Sequence, residues 1–297
     1  MQFIRVRCLR SYPLPVYLDL GVDVTLDSIV DTPTLLDRCT TIYIRSPEQW
    51  RIVGSRLPRL KRLVLSCGIP RGNWKEIPTL QSLKLERLGR VGGLWAVPLF
   101  GNIVQLEAIH SSSLWHDMQM AATLVPKVQV LRLSMIELSS PHSVLEDFFF
   151  SLINIPAHLK RERTFGQVTH LVLRYSNTNL DYVSRHPLPF VTVPCLIHLE
   201  ILLHHLRNIN GLLILDYPTV TRLTVIVFAN PSPLVMNITE DPADIQCLLD
   251  LMKRLPNLKN GAFTVTSFIM ATLRAELGRN PALYPPLSTI EHYLPTP

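Results

Sequence analysis

The chain of 297 residues is 47% hydrophobic and 18% charged, with mean hydropathy +0.21 and 29 basic against 23 acidic side chains. Apolar material on that scale supplies a large core and excludes an intrinsically disordered chain. The net charge of +6 is spread without a block of like charges, which argues against a nucleic-acid arm, and no uncharged apolar run reaches the roughly 18–20 residues of a membrane span.

At the N-terminus, MQFIRVRCLR puts Arg5, Arg7 and Arg10 where a secretory leader carries its apolar stretch, so the expectation is a cytoplasmic or nuclear protein. Cys8, Cys39, Cys67, Cys195 and Cys247 are odd in number, scattered and without a C-x-x-C pair. That pattern predicts reduced thiols acting as small hydrophobes, with no disulfide framework and no zinc site of cysteine type.

One phrase then recurs along the chain: an apolar residue, two free positions, an apolar residue, one free position and another apolar residue, often with a proline ahead. Copies stand at 13–20 (PLPVYLDL), 36–44 (LDRCTTIYI), 57–65 (LPRLKRLVL), 77–85 (IPTLQSLKL), 101–108 (GNIVQLEA) and 125–133 (VPKVQVLRL). They continue at 165–173 (FGQVTHLVL), 193–201 (VPCLIHLEI), 217–225 (YPTVTRLTV) and, degenerate, 255–263 (LPNLKNGAF). The marker residues are Leu18, Ile42, Leu63, Leu83, Leu106, Leu131, Leu171, Leu199, Leu223 and Gly261, at intervals of 24, 21, 20, 23, 25, 40, 28, 24 and 38. Most intervals match the 20–29 residues of a leucine-rich repeat. Alternation at L-x-L sets two apolar side chains on one side of a short strand and the middle residue on the other, and stacked copies bury a continuous core. The predicted fold class is α/β: a leucine-rich-repeat solenoid, or horseshoe, with a parallel sheet on its concave face and irregular helices outside. About ten copies fill residues 1–265.

Between the strands, Ser46-Pro47-Glu48 predicts a helix over about 47–56, and Asp241-Pro242-Ala243-Asp244 predicts another near 242–254, each by an N-cap followed by proline at the first helical position. The long interval after Leu131 predicts an insertion over about 139–163, a helix followed by a charged loop. Beyond it, 266–297 is expected to form a C-terminal capping helix and a proline-rich tail.

YLDL at 17–20, LPRLKRLVLSCG at 57–68 and the P-x-L-x-x-L-x-L anchors resemble the repeat region of the fungal F-box/leucine-rich-repeat family, over residues 13–265. The resemblance implies the substrate-receptor part of an F-box type ubiquitin ligase, with a protein partner held on the repeats and a Skp-type adaptor gripped by an F-box. The L-P-x-E-(I/L) opening of an F-box is not found in residues 1–40, so adaptor docking is expected only if an F-box lies upstream. A stand-alone interaction scaffold is the alternative, with an RNA-binding module a third.

Residues flanking the core leucines should share the concave face. Tyr43, Arg45, Arg62, Lys84, Arg132, His170, Arg174 and Arg222 are the predicted partner-binding residues, since arginine and tyrosine dominate interface hot spots and arginine pairs with carboxylates and phosphates. They point to an acidic or phosphorylated protein. The densest histidine group, His198, Glu200, His204 and His205, offers too few ligands from one strand for a metal. No catalytic signature of the G-x-S-x-G, H-E-x-x-H, P-loop or G-x-G-x-x-G type occurs, so the expectation is a binding protein without enzymatic activity, cofactor, metal or membrane partner.

Overall fold

The computed structural model describes residues 14–19, 36–46, 49, 57–67, 77–86, 101–109, 125–136, 163–176, 191–203, 206, 209, 217–228 and 242–295. The predicted helix at 47–56, apart from Gln49, and the insertion at 139–163, apart from Arg163, lie outside them. The chain forms two compact units, one comprising residues 1–128 and 144–153, the other 129–143 and 154–297.

The first unit carries β1 (Val16–Asp19), β2 (Cys39–Ile44), β3 (Arg62–Leu65), β4 (Ser82–Glu86) and β5 (Gln105–Ile109), each parallel to the next. In the second, β6 (Val130–Ile136), β8 (His170–Ser176), β10 (His198–Leu203), β11 (Arg222–Val227), β12 (Asn260–Thr264) and β13 (Thr289–Tyr293) form parallel ladders in that order. Two short strands, β7 (Arg163–Thr164) and β9 (Val191–Thr192), pair separately. This is an α/β chain dominated by parallel strands, with α1 (Pro242–Lys253) and α2 (Ser267–Arg279) as its two α-helices of more than one turn among the described residues.

The pairing joins equivalent residues of successive copies. Leu18 pairs with Ile42, Ile42 with Leu63, Leu63 with Leu83 and Leu83 with Leu106 in the first unit. In the second, Leu131 pairs with Leu171, Leu171 with Leu199, Leu199 with Leu223 and Leu223 with Gly261. A register shift of one residue would turn every core side chain outward, so the buried face fixes the alignment.

The proline of the phrase has a specific role. In LPRL, the amide of Leu60 donates to the carbonyl of Leu57 at 3.2 Å, and Leu80 to Ile77, Val128 to Val125, Val220 to Tyr217 and Leu258 to Leu255 repeat the bond. Each is a four-residue turn with proline second, where its fixed φ is already suitable. Gly166 replaces it in FGQV, where Val168 donates to Phe165 at 3.3 Å. Both ends of the turn are apolar and buried, so a full copy inserts four side chains; Leu57, Leu60, Leu63 and Leu65 are all 5% exposed or less. Burial of each contributes about 1.5–3 kcal/mol. Successive turns are also tied together: Thr79 Oγ1 donates to the carbonyl of Leu60 at 2.8 Å, and Asn257 Nδ2 to that of Pro218 at 2.7 Å.

Both helices predicted toward the C-terminus are present. α1 buries Ile245, Leu248, Leu249, Leu251 and Met252 and ends in Lys253, where the helix dipole favours a cation. α2 starts at the Thr266 cap, whose hydroxyl accepts from the amide of Ile269 at 3.4 Å, and buries Ile269, Met270 and Leu273. The tail then departs from expectation. Residues 289–293 form β13, whose Ile290 pairs with Gly261 on the marker rung. His292 takes the second core position there, its Nε2 lying 3.0 Å from the carbonyl oxygen of Val265.

Candidate functional site

Within each unit, parallel pairing in one register places the residues between the core leucines in rows across the side of the ladder opposite the core. In the first unit the rows are Tyr17, Thr41, Arg62, Ser82, Gln105 and Asp19, Tyr43, Val64, Lys84, Glu107. Tyr43, Arg62 and Lys84 therefore share this side, and Arg45 lies two residues past Tyr43. Val64 is also on it but only 4% exposed, so the surface is not a uniformly solvated one.

These cations are matched by carboxylates. Arg45 grips Asp19 through two nitrogens, at 3.1 and 3.0 Å, while its guanidinium lies 4.4 Å from the centre of the Tyr43 ring. The Tyr43 hydroxyl donates to Glu86 across the intervening β3. Lys84 Nζ lies 2.9 Å from Glu86 and 3.4 Å from Glu107, and Arg62 lies 3.7 Å from the second oxygen of Glu107. Three cations face three carboxylates, giving a cluster with no net charge. Burial raises the Tyr43 phenol pKa, and the Glu86 carboxylate raises it further. Although burial works against it, hydrogen bonds from Tyr43 and Lys84 hold Glu86 below the ordinary carboxylate range. Lys84 is held above its ordinary value by Glu86 and Glu107, again against burial.

The second unit presents Val130, His170, His198, Arg222, Asn260 and Thr289 in one row and Arg132, Val172, Glu200, Thr224, Ala262 and Glu291 in the next. A third runs Ser134, Arg174, Leu202, Ile226, Thr264 and Tyr293. Here Arg132, His170, Arg174 and Arg222 share the surface. Among the described residues no carboxylate forms an ion pair within 4.0 Å with Arg132, Arg174 or Arg222. Arg174 lies over the Phe228 ring at 5.7 Å. Arg222 borders a depression of about 180 Å³ lined also by Asn260, Gly261, Ala262, Thr289 and Glu291.

At the centre of this surface, the imidazoles of His170 and His198 stack with centres 4.2 Å apart and planes 12° from parallel. His170 Nε2 lies 3.1 Å from Glu200 Oε2, and His198 Nε2 lies 2.9 Å from Thr224 Oγ1. Burial, with His170 and Arg222 alongside, pushes His198 down to about 4. The hydrogen bond from His170 lowers Glu200, against burial and with help from His198 and Arg132.

Sequence reasoning grouped His198 and Glu200 with His204 and His205; the partner found in the structure is His170, one strand away, while 204 and 205 lie outside the described residues. The signal was present in the repeat alignment, which sets His170 and His198 at the same position of consecutive copies. Asn260 was missed because the outward positions were followed only as far as Arg222, Thr224 and Ile226, and Thr289 and Glu291 because they lie beyond the last aligned copy.

Together these features define a class: α/β proteins built by repetition of a proline-started turn and a short parallel strand, with polar side chains in rows on the open side of the sheet. No protein-family model matches the sequence, and no curated protein is significantly similar to it. No helix among the described residues is long and apolar enough to cross a membrane.

Proposed function

We propose that the chain is a leucine-rich-repeat protein-binding module, the substrate-receptor-like part of an F-box type ubiquitin ligase, that takes an acidic or phosphorylated segment on the sheet surface of its second unit. The observation carrying the choice of surface is that Arg132, Arg174 and Arg222 share it with no ion-paired carboxylate among the described residues, while the ligase link rests on the resemblance of the repeats alone. Arginine presents a planar fork to carboxylates and phosphates and is only weakly hydrated, so it recognises such groups at low desolvation cost. The matched cations of the first unit would have to give up existing partners, and this limits their contribution.

The test is binding of immobilised polyglutamate and phosphoserine peptides to the full chain. The combined variant Arg132→Glu/Arg174→Glu/Arg222→Glu should lose binding while its circular dichroism is unchanged, and Arg45→Glu/Arg62→Glu/Lys84→Glu should retain more of it. Capture that fails for both peptides, or depends on the first-unit residues alone, overturns the surface assignment. Pull-down of a Skp-type adaptor tests the ligase link, and failure to bind supports a stand-alone scaffold. Preference for RNA over both peptides, with affinity falling steeply in salt, would replace the protein partner.

A further inference from the structure

We propose that His170, His198 and Glu200 form a three-ligand site for a divalent cation of the zinc type. It goes beyond the acidic-segment reading and does not depend on it.

The repeat builds the site. Register places His170 of β8 directly opposite His198 of β10, and the period of two places Glu200 on the same side as His198, one step further along. Adjacent strands are about 4.8 Å apart, so equivalent side chains stand next to each other. One ligand atom from each of the three residues lies within 4.8 Å of the other two. Between His170 Nε2 and Glu200 Oε2 the distance is 3.1 Å. Two ligands bonded to one tetrahedral zinc at 2.0–2.1 Å are separated by about 3.3 Å, so an ion could take the place of the hydrogen-bonded proton between these two atoms with little movement of either. The remaining closure falls to His198, whose ring Thr224 braces from β11, the arrangement by which outer groups orient metal-ligating histidines.

The donor set decides the ion. Two imidazole nitrogens with one carboxylate oxygen suit zinc, cobalt or nickel, whereas calcium and magnesium require more oxygens. Three protein ligands leave a tetrahedral ion one position for water or an incoming group. Arg132 acts on Glu200 and Arg222 on His198 through charge, and their repulsion of a dication weakens the site without removing a ligand.

The full chain, treated with chelator and freed of it, is titrated with cobalt(II) and then with zinc. One cobalt per chain is expected, with the visible bands of four-coordinate cobalt, displaced by zinc, and with the unfolding midpoint raised because the folded state alone assembles the ligands. Glu200→Gln, which keeps the shape of the side chain, and His170→Ala should each weaken uptake at least about ten-fold, with metal-free circular dichroism as the wild type. His204→Gln/His205→Gln should leave uptake unchanged. No saturable binding by the wild type, equal uptake by Glu200→Gln and His170→Ala, or a loss confined to His204→Gln/His205→Gln overturns the assignment.

Discussion

Gly261 stands on the rung that leucine or isoleucine holds in its neighbours, and the ring of Phe263, two residues further on, occupies the space it leaves. A Cβ at Gly261 would lie 2.5 Å from Phe263 Cε2 and 2.8 Å from Cζ. Phe263 is fully buried, so the ring has little freedom to withdraw. The two positions are one substitution in physical terms: glycine plus phenylalanine in place of the two aliphatic residues of L-x-L. Gly261→Ala should destabilise the chain by about 1–3 kcal/mol through overpacking. Phe263→Leu alone should cost about 1 kcal/mol or more from the cavity it opens. The double variant should be more stable than the sum of the two, as measured by denaturant unfolding in a double-mutant cycle.

Glu86 accepts from Tyr43 and pairs with Lys84 on a partly covered surface. Replacing it by glutamine removes one charge from a neutral cluster and should cost about 1 kcal/mol. The sharper readout is Tyr43 itself. Its phenol, raised by burial and then by Glu86, should titrate at lower pH in Glu86→Gln, followed by NMR of labelled tyrosine.

Turn-to-turn ties and turn packing should differ in weight. Thr79→Val removes the hydroxyl that donates to the Leu60 carbonyl and should cost about 1 kcal/mol. Leu60→Ala, at a fully buried position, should cost about 2–5 kcal/mol. Urea midpoints of the two variants give the comparison.

A pH effect follows from His198 in chelator-treated protein. Its folded pKa, about 4, lies below its ordinary 6.5, so between those values the unfolded chain binds the extra proton. Stability present above pH 6.5 is therefore lost as pH falls toward 4. The full linkage would be about 3 kcal/mol, and solvent screening of the partly exposed ring brings it to about 1 kcal/mol. His198→Asn should flatten the pH dependence of the unfolding midpoint over that interval, with a further decline below Glu200's ordinary pKa left in place.

The strand register was legible because two independent patterns coincide in each copy. The four-residue turn of LPRL fixes where the strand starts, and L-x-L fixes which side is core, so even the degenerate copy at Gly261 falls on its rung. β13 was not legible because His292 replaces the second apolar residue and a proline-rich stretch precedes it. The rows of outward residues followed from the register, but their pairing did not. Tyr43 reaches Glu86 over Val64, and Arg62 reaches Glu107 past β4, contacts that depend on side-chain reach across a twisted sheet. Neighbours in sequence also misled at the histidines, where His170 lies 28 residues before His198 in the chain but beside it in space.

Matched rungs make whole copies of the repeat interchangeable. Removing residues 63–82 would join Arg62 directly to Leu83, leaving the 57–60 turn intact and delivering Leu83 to the rung of Ile42 that Leu63 now fills, with Leu85 opposite Ile44. Recombination between copies therefore meets a chain already prepared for it. A crossover at equivalent positions lengthens or shortens the ladder by one step without asking any other strand to find a new alignment.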